Sequence, residues 1–411
     1  MFKSVRSISY PVSDIEKGRE WYNSILGIKP VFENPLLTIY RINDFTFSLI
    51  QEGKGNEIKE NPPVVFWEVE DIDSAFNKLI ESGARPVSEI SIYFNSRMAK
   101  LADPFGNIIG LSCSEAPSSK SLDDRPSETA MTVAFCRAFA CLEEQEEIRG
   151  KDYLAEIFLN EEAAKPLKDK KAVEWVKKNI MTDGSYEFIT CRTVFYDNEV
   201  QKALADDIPQ IVFLGAGYDS RAYRFAGLIK NTCIYELDIK STQQRKIEIL
   251  KKAGIDTPAN LKFVEIDFTK DKILDVLTAA GYKREMKTLF IWEGVLYYLT
   301  KRVIDGTLEI IKQNSPSGSI ICFDYTITAP DMKNRYKAKE VRDKMKTRYS
   351  AEPVQEGFEE GKMGEYLDER GFKLVEHYNP EEMENKYLKL KDGSIAGKVT
   401  GIFCLAKAEV N

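Results

Sequence analysis

The sequence predicts an α/β protein of two domains: an α+β domain made from one pattern used twice, then a parallel sheet interleaved with helices. Three observations predict this. Between Phe2 and Cys113 the order strand, helix, three strands (βαβββ) runs through twice. From Ser114 to Glu128, "SEAPSSKSLDDRPSE" is rich in Ser, Pro, Asp and Lys and poor in large apolar residues, as an interdomain linker is. Beyond it, "QIVFLGAGYDSRAYRF" (Gln210 to Phe225) places an apolar run, a glycine turn and an amphipathic stretch in the order of a buried strand entering a helix. The chain of 411 residues is too long for one ordinary core, and these signals divide it at 1–115, a linker at 116–125 and 126–411.

In the first domain, "SVRSISYPV" alternates as a strand and "SDIEKGREWYNSILG" has a cap and helical spacing. The runs "KPVFE", "LLTIYRI" and "FTFSLIQ" read as three strands. The second pass repeats the order: "PVVFWEVE", then the capped helix "DIDSAFNKLIESG" ending in Gly83, then "RPVSEISI", "SRMAKLAD" and "NIIGLSC". Phe66, Trp67, Tyr40 and Phe47 either line a cup or fill a core, since alternation sends half of any strand inward.

Bulk composition removes several classes of function. With 43% hydrophobic and 30% charged residues the chain is of soluble globular type, and its net charge of −7 argues against nucleic acid or anionic membrane as partner. No apolar run approaches the roughly 18–20 residues of a membrane span, and "MFKSVRSISYPVSD" lacks a secretory apolar core, so a cytoplasmic protein is expected. The seven cysteines form no CxxC pair, which fits free thiols better than disulfides or a zinc site. His377 is the single histidine, which excludes histidine-rich metal sites and Ser–His–Asp chemistry elsewhere.

In the second domain Gly215 and Gly217 form the turn after the apolar run Ile211 to Leu214. A dinucleotide fingerprint wants a third glycine at position 220, where this chain has Ser220. "NTCIYELDIK" is a second strand ending in Asp238, with Glu236 two residues back on the same face. An acid there is placed for ribose hydroxyls. "NLKFVEIDFTKD" is a third strand ending at Asp267 and Phe268, a pair suited to an adenine amino group and ring. "KTLFIWEGVLYYLT" is a fourth strand leading to Glu293 and an aromatic helix start with Tyr297 and Tyr298. "GSIICFDYTI", "GFKLVEHY" and "VTGIFCLAKA" supply three more. Each acid alone can equally be a helix cap or a solvated strand end. Together they outline a crevice at the carboxyl edge of a parallel sheet, where such sheets bind ligands. The residues point to a nucleoside ligand and leave NAD and S-adenosylmethionine open, with Ser220 leaning away from NAD.

The motifs "RPSETAMTVAFCRAFA", "FITCRTVFYDNEV", "VFLGAGYDSRAYRF", "YELDIKSTQQRK", "FVEIDFTKD" and "IWEGVLYYLT", in this order, resemble the leucine carboxyl methyltransferase family over about Pro126 to Val410. The resemblance is nearest to its small-molecule-tailoring branch and implies a Rossmann-like class I methyltransferase domain with S-adenosylmethionine as cofactor. It implies that Arg192 holds the methionyl carboxylate, with Arg137 lining the same pocket. It places Gly215 and Gly217 beside the methionyl part, Asp238 on the ribose, Asp267 and Phe268 at the adenine, and Glu293 at the amino end. Arg221, Tyr223 and Arg224 match a motif to which it gives no role. Upstream, "PVSDIEKGREWYNSILGIKP", "FWEVEDIDSAFNKLIESGARP" and "LADPFGNIIGL" resemble the glyoxalase and bleomycin-resistance (vicinal oxygen chelate) fold. The family's metal-ligand positions hold Ser7, Ser48, Val64 and Gly110 here. None is a usual transition-metal ligand, so a metal-free binding cup or dimerising module is expected, with a homodimer implied.

Methyl transfer from a sulfonium is an in-line displacement, for which a protein supplies alignment and a dry pocket. Glu293 and Tyr297 are the candidate catalytic residues. Tyr297 and Tyr298 are placed to face the methyl, where aromatic faces favour a cation, and at their spacing are equally core. A carboxylate acceptor is already ionised at pH 7 and needs no base, whereas a phenol or alcohol does. The expected activity is O-methylation of a small molecule, carboxylate preferred. Small-molecule sequestration by the N-terminal cup and protein carboxyl methylation are the alternatives. The charged segment Thr328 to Pro353 is either a substrate lid or a surface helix.

Overall fold

The computed structural model describes residues 4–12, 14–26, 28–42, 45–51, 64–81, 83–93, 96–102, 108–114, 128–179, 184–268, 271–328, 335–342 and 357–411. They divide into two compact units, 1–118 with 168–176, and 119–167 with 177–411. The predicted linker at 116–125 and most of the Thr328–Pro353 segment lie outside the described residues.

The first unit is one eight-stranded sheet. Its strands are β1 (Ser4–Val12), β2 (Phe32–Glu33), β3 (Leu37–Ile42), β4 (Phe45–Gln51), β5 (Val64–Glu68), β6 (Arg85–Tyr93), β7 (Ser96–Ala102) and β8 (Ile108–Ser114). Their order is β2-β3-β4-β1-β5-β8-β7-β6, two strand–helix–three-strand modules joined through β1 and β5. β2 is shorter than "KPVFE" suggests. The helices Ile15–Leu26 and Ile72–Glu81 begin alike, because the same chemistry stands before each. Asp14 Oδ1 accepts from the backbone N–H groups of Glu16 and Lys17, and Asp71 Oδ1 from those of Asp73 and Ser74. These are groups that a first helical turn leaves without backbone partners. The second helix stops at Gly83, whose φ of 94° suits glycine.

Of the four positions that the resemblance aligns with family metal ligands, Ser48 and Gly110 are buried. Ser48 Oγ shares a 2.7 Å hydrogen bond with Ser9 Oγ on the neighbouring strand, both buried. Gly110 on β8 lies opposite Phe66 on β5, and a Cβ there would come within 2.5 Å of the Phe66 ring.

The second unit carries β9 (Gln210–Leu214), β10 (Cys233–Asp238), β11 (Leu261–Glu265), β12 (Thr288–Trp292), β13 (Ile320–Thr328), β14 (Phe358–Glu359), β15 (Phe372–Tyr378) and β16 (Phe403–Val410). The main sheet runs β11-β10-β9-β12-β13-β16-β15, and β14 pairs with β13. β11 to β13 are parallel, as expected, whereas β16 runs antiparallel to both β13 and β15. β9 and β12 are buried at every position, since helices cover both faces of a central parallel strand. The order reverses between β9 and β12, which puts the crevice of the sheet beyond their carboxyl ends. Among the described residues no helix is long and apolar enough to cross a membrane.

Gly110→Ala should destabilise the first unit by about 1–3 kcal/mol, because the added methyl meets a buried ring. Thermal unfolding checks this. Phe66→Leu in the same chain should recover part of the loss, and an unchanged melting temperature in Gly110→Ala would contradict the close packing.

Candidate active site

β9 ends at Leu214, and Gly215 and Gly217 turn the chain with φ of 80° and 51°, a region that disfavours residues with a Cβ. The N–H groups of Gly215 and Ala216 both donate to Leu237 O at 2.9 Å, which ties the turn to the end of β10. One residue on, the Asp238 carboxylate accepts from the Gly217 N–H through Oδ2 and from the Ile239 N–H through Oδ1 at 2.8 Å. Asp238 is thereby fixed at the mouth of the turn. Glu236, two residues back on β10, is fully buried and accepts from Lys246 Nζ at 2.6 Å. Burial pushes its carboxyl up to about 7, against the pull of Lys246.

Two expectations need correction. The helix after the glycine turn is a single short turn, Arg221–Arg224, because polar Asp219 and Ser220 are spent inside the fold. β11 stops at Glu265, so Asp267 and Phe268 lie past the strand, not at its end. There the Asp267 N–H donates to Asp271 Oδ2 at 2.8 Å, and Phe268 packs, partly buried, against the core.

The helix Ser185–Ala205 brings Arg192 and Tyr196, four residues apart, to the carboxyl end of β12 and to Asp324 in the middle of β13. Arg192 is buried. Its Nη1 donates to Asp324 Oδ2 at 3.1 Å and to Tyr297 Oη at 3.3 Å. Its Nε lies 3.0 Å from Glu293 Oε1, close enough to pair but without the alignment of a hydrogen bond. Asp324 also accepts from Tyr196 Oη at 3.0 Å and from the Gly294 N–H at 2.7 Å. Burial pushes Asp324 above the usual carboxylate range, with Arg192 and the Gly294 N–H opposing it. Tyr297 sits in the 3₁₀ turn Leu296–Tyr298 with its ring against Tyr298 and Phe403, and burial raises its hydroxyl pKa.

Glu293 has a second arginine. Its Oε2 accepts from Arg221 Nη1 at 2.8 Å. Arg221 in turn donates from Nε to Asp197 Oδ1 at 2.8 Å and from Nη1 to Asp219. Arg224 bonds both oxygens of Asp197 at 2.8 Å and reaches Ser220 Oγ at 2.8 Å. Ser220 donates to Asp152 at 2.7 Å, and Asp152 pairs with Arg137 Nη1 at 3.0 Å. Arg137 finally donates to Tyr218 O, just after the glycine turn, at 2.7 Å. A single buried ionic chain therefore links Arg137, Arg221, Glu293 and Arg192.

Sequence reasoning picked out both ends of this chain and missed its middle. Arg221 and Arg224 carried no assignment, and Asp152, Asp197, Asp219 and Asp324 were passed over. The available signal was Asp and Arg recurring inside apolar stretches, as in "TVFYDNEV" and "IICFDYTI", where a buried charge demands a partner.

Comparison with known proteins follows the same division. Residues 130–312 match the model of the family "Leucine carboxyl methyltransferase", and residues 4–111 that of "Glyoxalase/Bleomycin resistance protein/Dioxygenase superfamily". The chain thus joins a domain of the leucine carboxyl methyltransferase family to a glyoxalase-superfamily domain. A Bacillus subtilis relative, "Putative S-adenosyl-L-methionine-dependent methyltransferase YktD", is 29% identical over 60% of this chain and 81% of its own length. A Streptomyces avermitilis relative with a methyltransferase name of the same form is 31% identical over 46% of this chain and 66% of its own. Other such relatives are covered over as little as 46% of their length. A solved structure from Streptomyces avermitilis, a "duf574 family protein", aligns with 71% of this chain and 100% of its own at 12% identity and a TM-score of 0.45.

Asp197 generates a pH prediction. Burial pushes its carboxyl up, but Arg221 and Arg224 outweigh this and hold it below its ordinary value of 3.8. A depressed carboxylate contributes stability that is complete above pH 3.8 and is lost as the pH falls through the lower folded value. Acid unfolding curves should therefore be shallower in Asp197→Asn than in the wild type below about pH 4. Parallel curves would contradict the pairing.

Proposed function

We propose that this chain is an S-adenosylmethionine-dependent O-methyltransferase acting on a small molecule, with a carboxylate acceptor preferred to a phenol. One observation carries the reading: the Gly215–Gly217 turn with Asp238 at its mouth stands beside the Arg192–Glu293 pair at the next strand end. The residues fit the cofactor. Among the described residues Arg192 Nε is a buried donor without a hydrogen-bond partner, which suits a site for an amino-acid carboxylate. A carboxylate accepts several hydrogen bonds, so Asp238 can keep its two backbone donors and receive ribose hydroxyls.

In this reading Arg192 binds the methionyl carboxylate and Glu293 the amino group. Gly215 and Gly217 allow close approach, Asp238 takes the ribose, and Asp267 and Phe268 take the adenine. Arg137 acts at one remove, by holding the carbonyl that follows the turn. When bound, the cofactor supplies an electrophilic methyl group on a sulfonium. The protein's part is alignment and exclusion of water, helped by the Tyr297 ring. A carboxylate acceptor fits the scarcity of bases. The only histidine, His377, is 2.8 Å from Tyr325 Oη on the antiparallel side of the sheet, and burial lowers its pKa.

The first unit is taken as a metal-free cup or a homodimerising module. The Ser9–Ser48 hydrogen bond and the Phe66 ring over Gly110 support that assignment. The protein is taken as cytoplasmic, with neither nucleic acid nor membrane as a partner.

The test offers carboxylic acids, phenols and amines with labelled cofactor. Methyl should appear on oxygen, at a rate that stays flat from about pH 6 to 9 for a carboxylate acceptor. Cofactor binding by calorimetry should weaken about tenfold in Asp238→Ala. Methyl only on nitrogen or carbon, or undiminished binding in that variant, would refute the reading.

A further inference from the structure

We infer that Arg221 is a positioning residue for methyl transfer: it fixes one oxygen of Glu293 so that the other faces Arg192, and so sets the receptor for the cofactor's amino-acid end. This rests on the cofactor reading above and adds a role for a residue outside the assigned contacts.

Charge counting supports it. Arg221 is fully buried and already meets two carboxylates, Asp197 through Nε and Asp219 through Nη1. Asp219 also accepts from the Arg221 backbone N–H at 2.7 Å, gripping the residue at both ends. Arg224 takes both oxygens of Asp197, so Asp219 is left to neutralise Arg221 and Glu293 at 2.8 Å is surplus to the needs of Arg221. Arg192 is equally independent of Glu293, because Asp324 lies 3.1 Å from its Nη1. Each arginine thus has an aspartate of its own, and Glu293 is held between them. Without Arg221, Glu293 has no second anchor among the described residues and can rotate fully onto Arg192, occupying the donors an incoming carboxylate requires.

Arg221 is also well placed in the chain to do this. It lies four residues after Gly217, on the short helical turn that the glycine turn leads into. The backbone that approaches the cofactor and the side chain that fixes Glu293 therefore move as one piece. A lysine at 221 keeps the charge but lacks the planar fork that engages several carboxylates at once.

The test is a double-mutant cycle in the full chain, reading S-adenosylmethionine Kd by calorimetry and the melting temperature alongside. Arg221→Lys and Glu293→Gln should each weaken binding about tenfold, and the double variant should be within about threefold of the weaker single variant. Singles that multiply to about a hundredfold would overturn the inference, because Arg221 would then act independently of Glu293. So would unchanged affinity in Arg221→Lys with only a lowered melting temperature. If Arg221→Lys does not fold, Asp219→Asn takes its place in the cycle with the same two outcomes. Absence of cofactor binding in the wild type is a separate result, which removes the cofactor reading and this inference with it.

Discussion

Glu293 is held between two arginines at the carboxyl edge of a parallel sheet, and much of the second unit follows from that constraint. Neither arginine can be buried unless acids surround it, and none of those acids can be buried without the arginines. Taking each ion out of water costs several kcal/mol, and well-packed apolar side chains of similar volume would often serve stability as well. Removal of a single partner is different, because it strands a buried charge at a cost of about 3–5 kcal/mol. The network is thus costly to assemble and intolerant of loss. Both properties fit a site that must present fixed charge to a ligand, where preorganised dipoles and ions act without reorganising.

The sheet explains why these charges meet. β9, β12 and β13 run parallel, so the carboxyl ends of β9 and β12 deliver the glycine turn and Glu293 to one edge, level with Asp324 in the middle of the longer β13. The helix Ser185–Ala205 contributes Arg192 and Asp197 to that edge from a different part of the chain. The same helix is thereby fastened twice, through Arg192 to Asp324 and through Asp197 to Arg221 and Arg224. In the first unit, by contrast, Ser9 and Ser48 share a buried hydrogen bond and the Phe66 ring packs over Gly110.

Much of this was legible in the sequence because it is local. Period-two alternation, Asp before each helix of the first unit and glycine after a strand act over a few residues, and the elements they predict are present. The antiparallel placement of β16 was not legible, since strand direction depends on where the chain returns and not on the pattern within "VTGIFCLAKA". The end of β11 was misjudged for a related reason: "FVEIDF" keeps an alternating pattern past the point where pairing with β10 stops. The ionic chain was only half visible. The resemblance gives roles to Arg192 and Glu293 but none to Arg221, Asp197 and Asp219, which stand in the same motifs and whose tie depends on tertiary distance. Even Glu236 and Asp238, two residues apart on one strand, part company, one buried with Lys246 and one at the turn.

We propose that the Arg192–Glu293 pair receives the amino-acid end of the cofactor. A crystal structure of the full chain with S-adenosylhomocysteine tests it most directly. The homocysteinyl carboxylate should lie within hydrogen-bond distance of Arg192, with its amino group on Glu293 and the Glu293–Arg221 contact retained. A ligand whose amino-acid end lies elsewhere, with Arg192 still committed to Glu293 and Asp324, would contradict it.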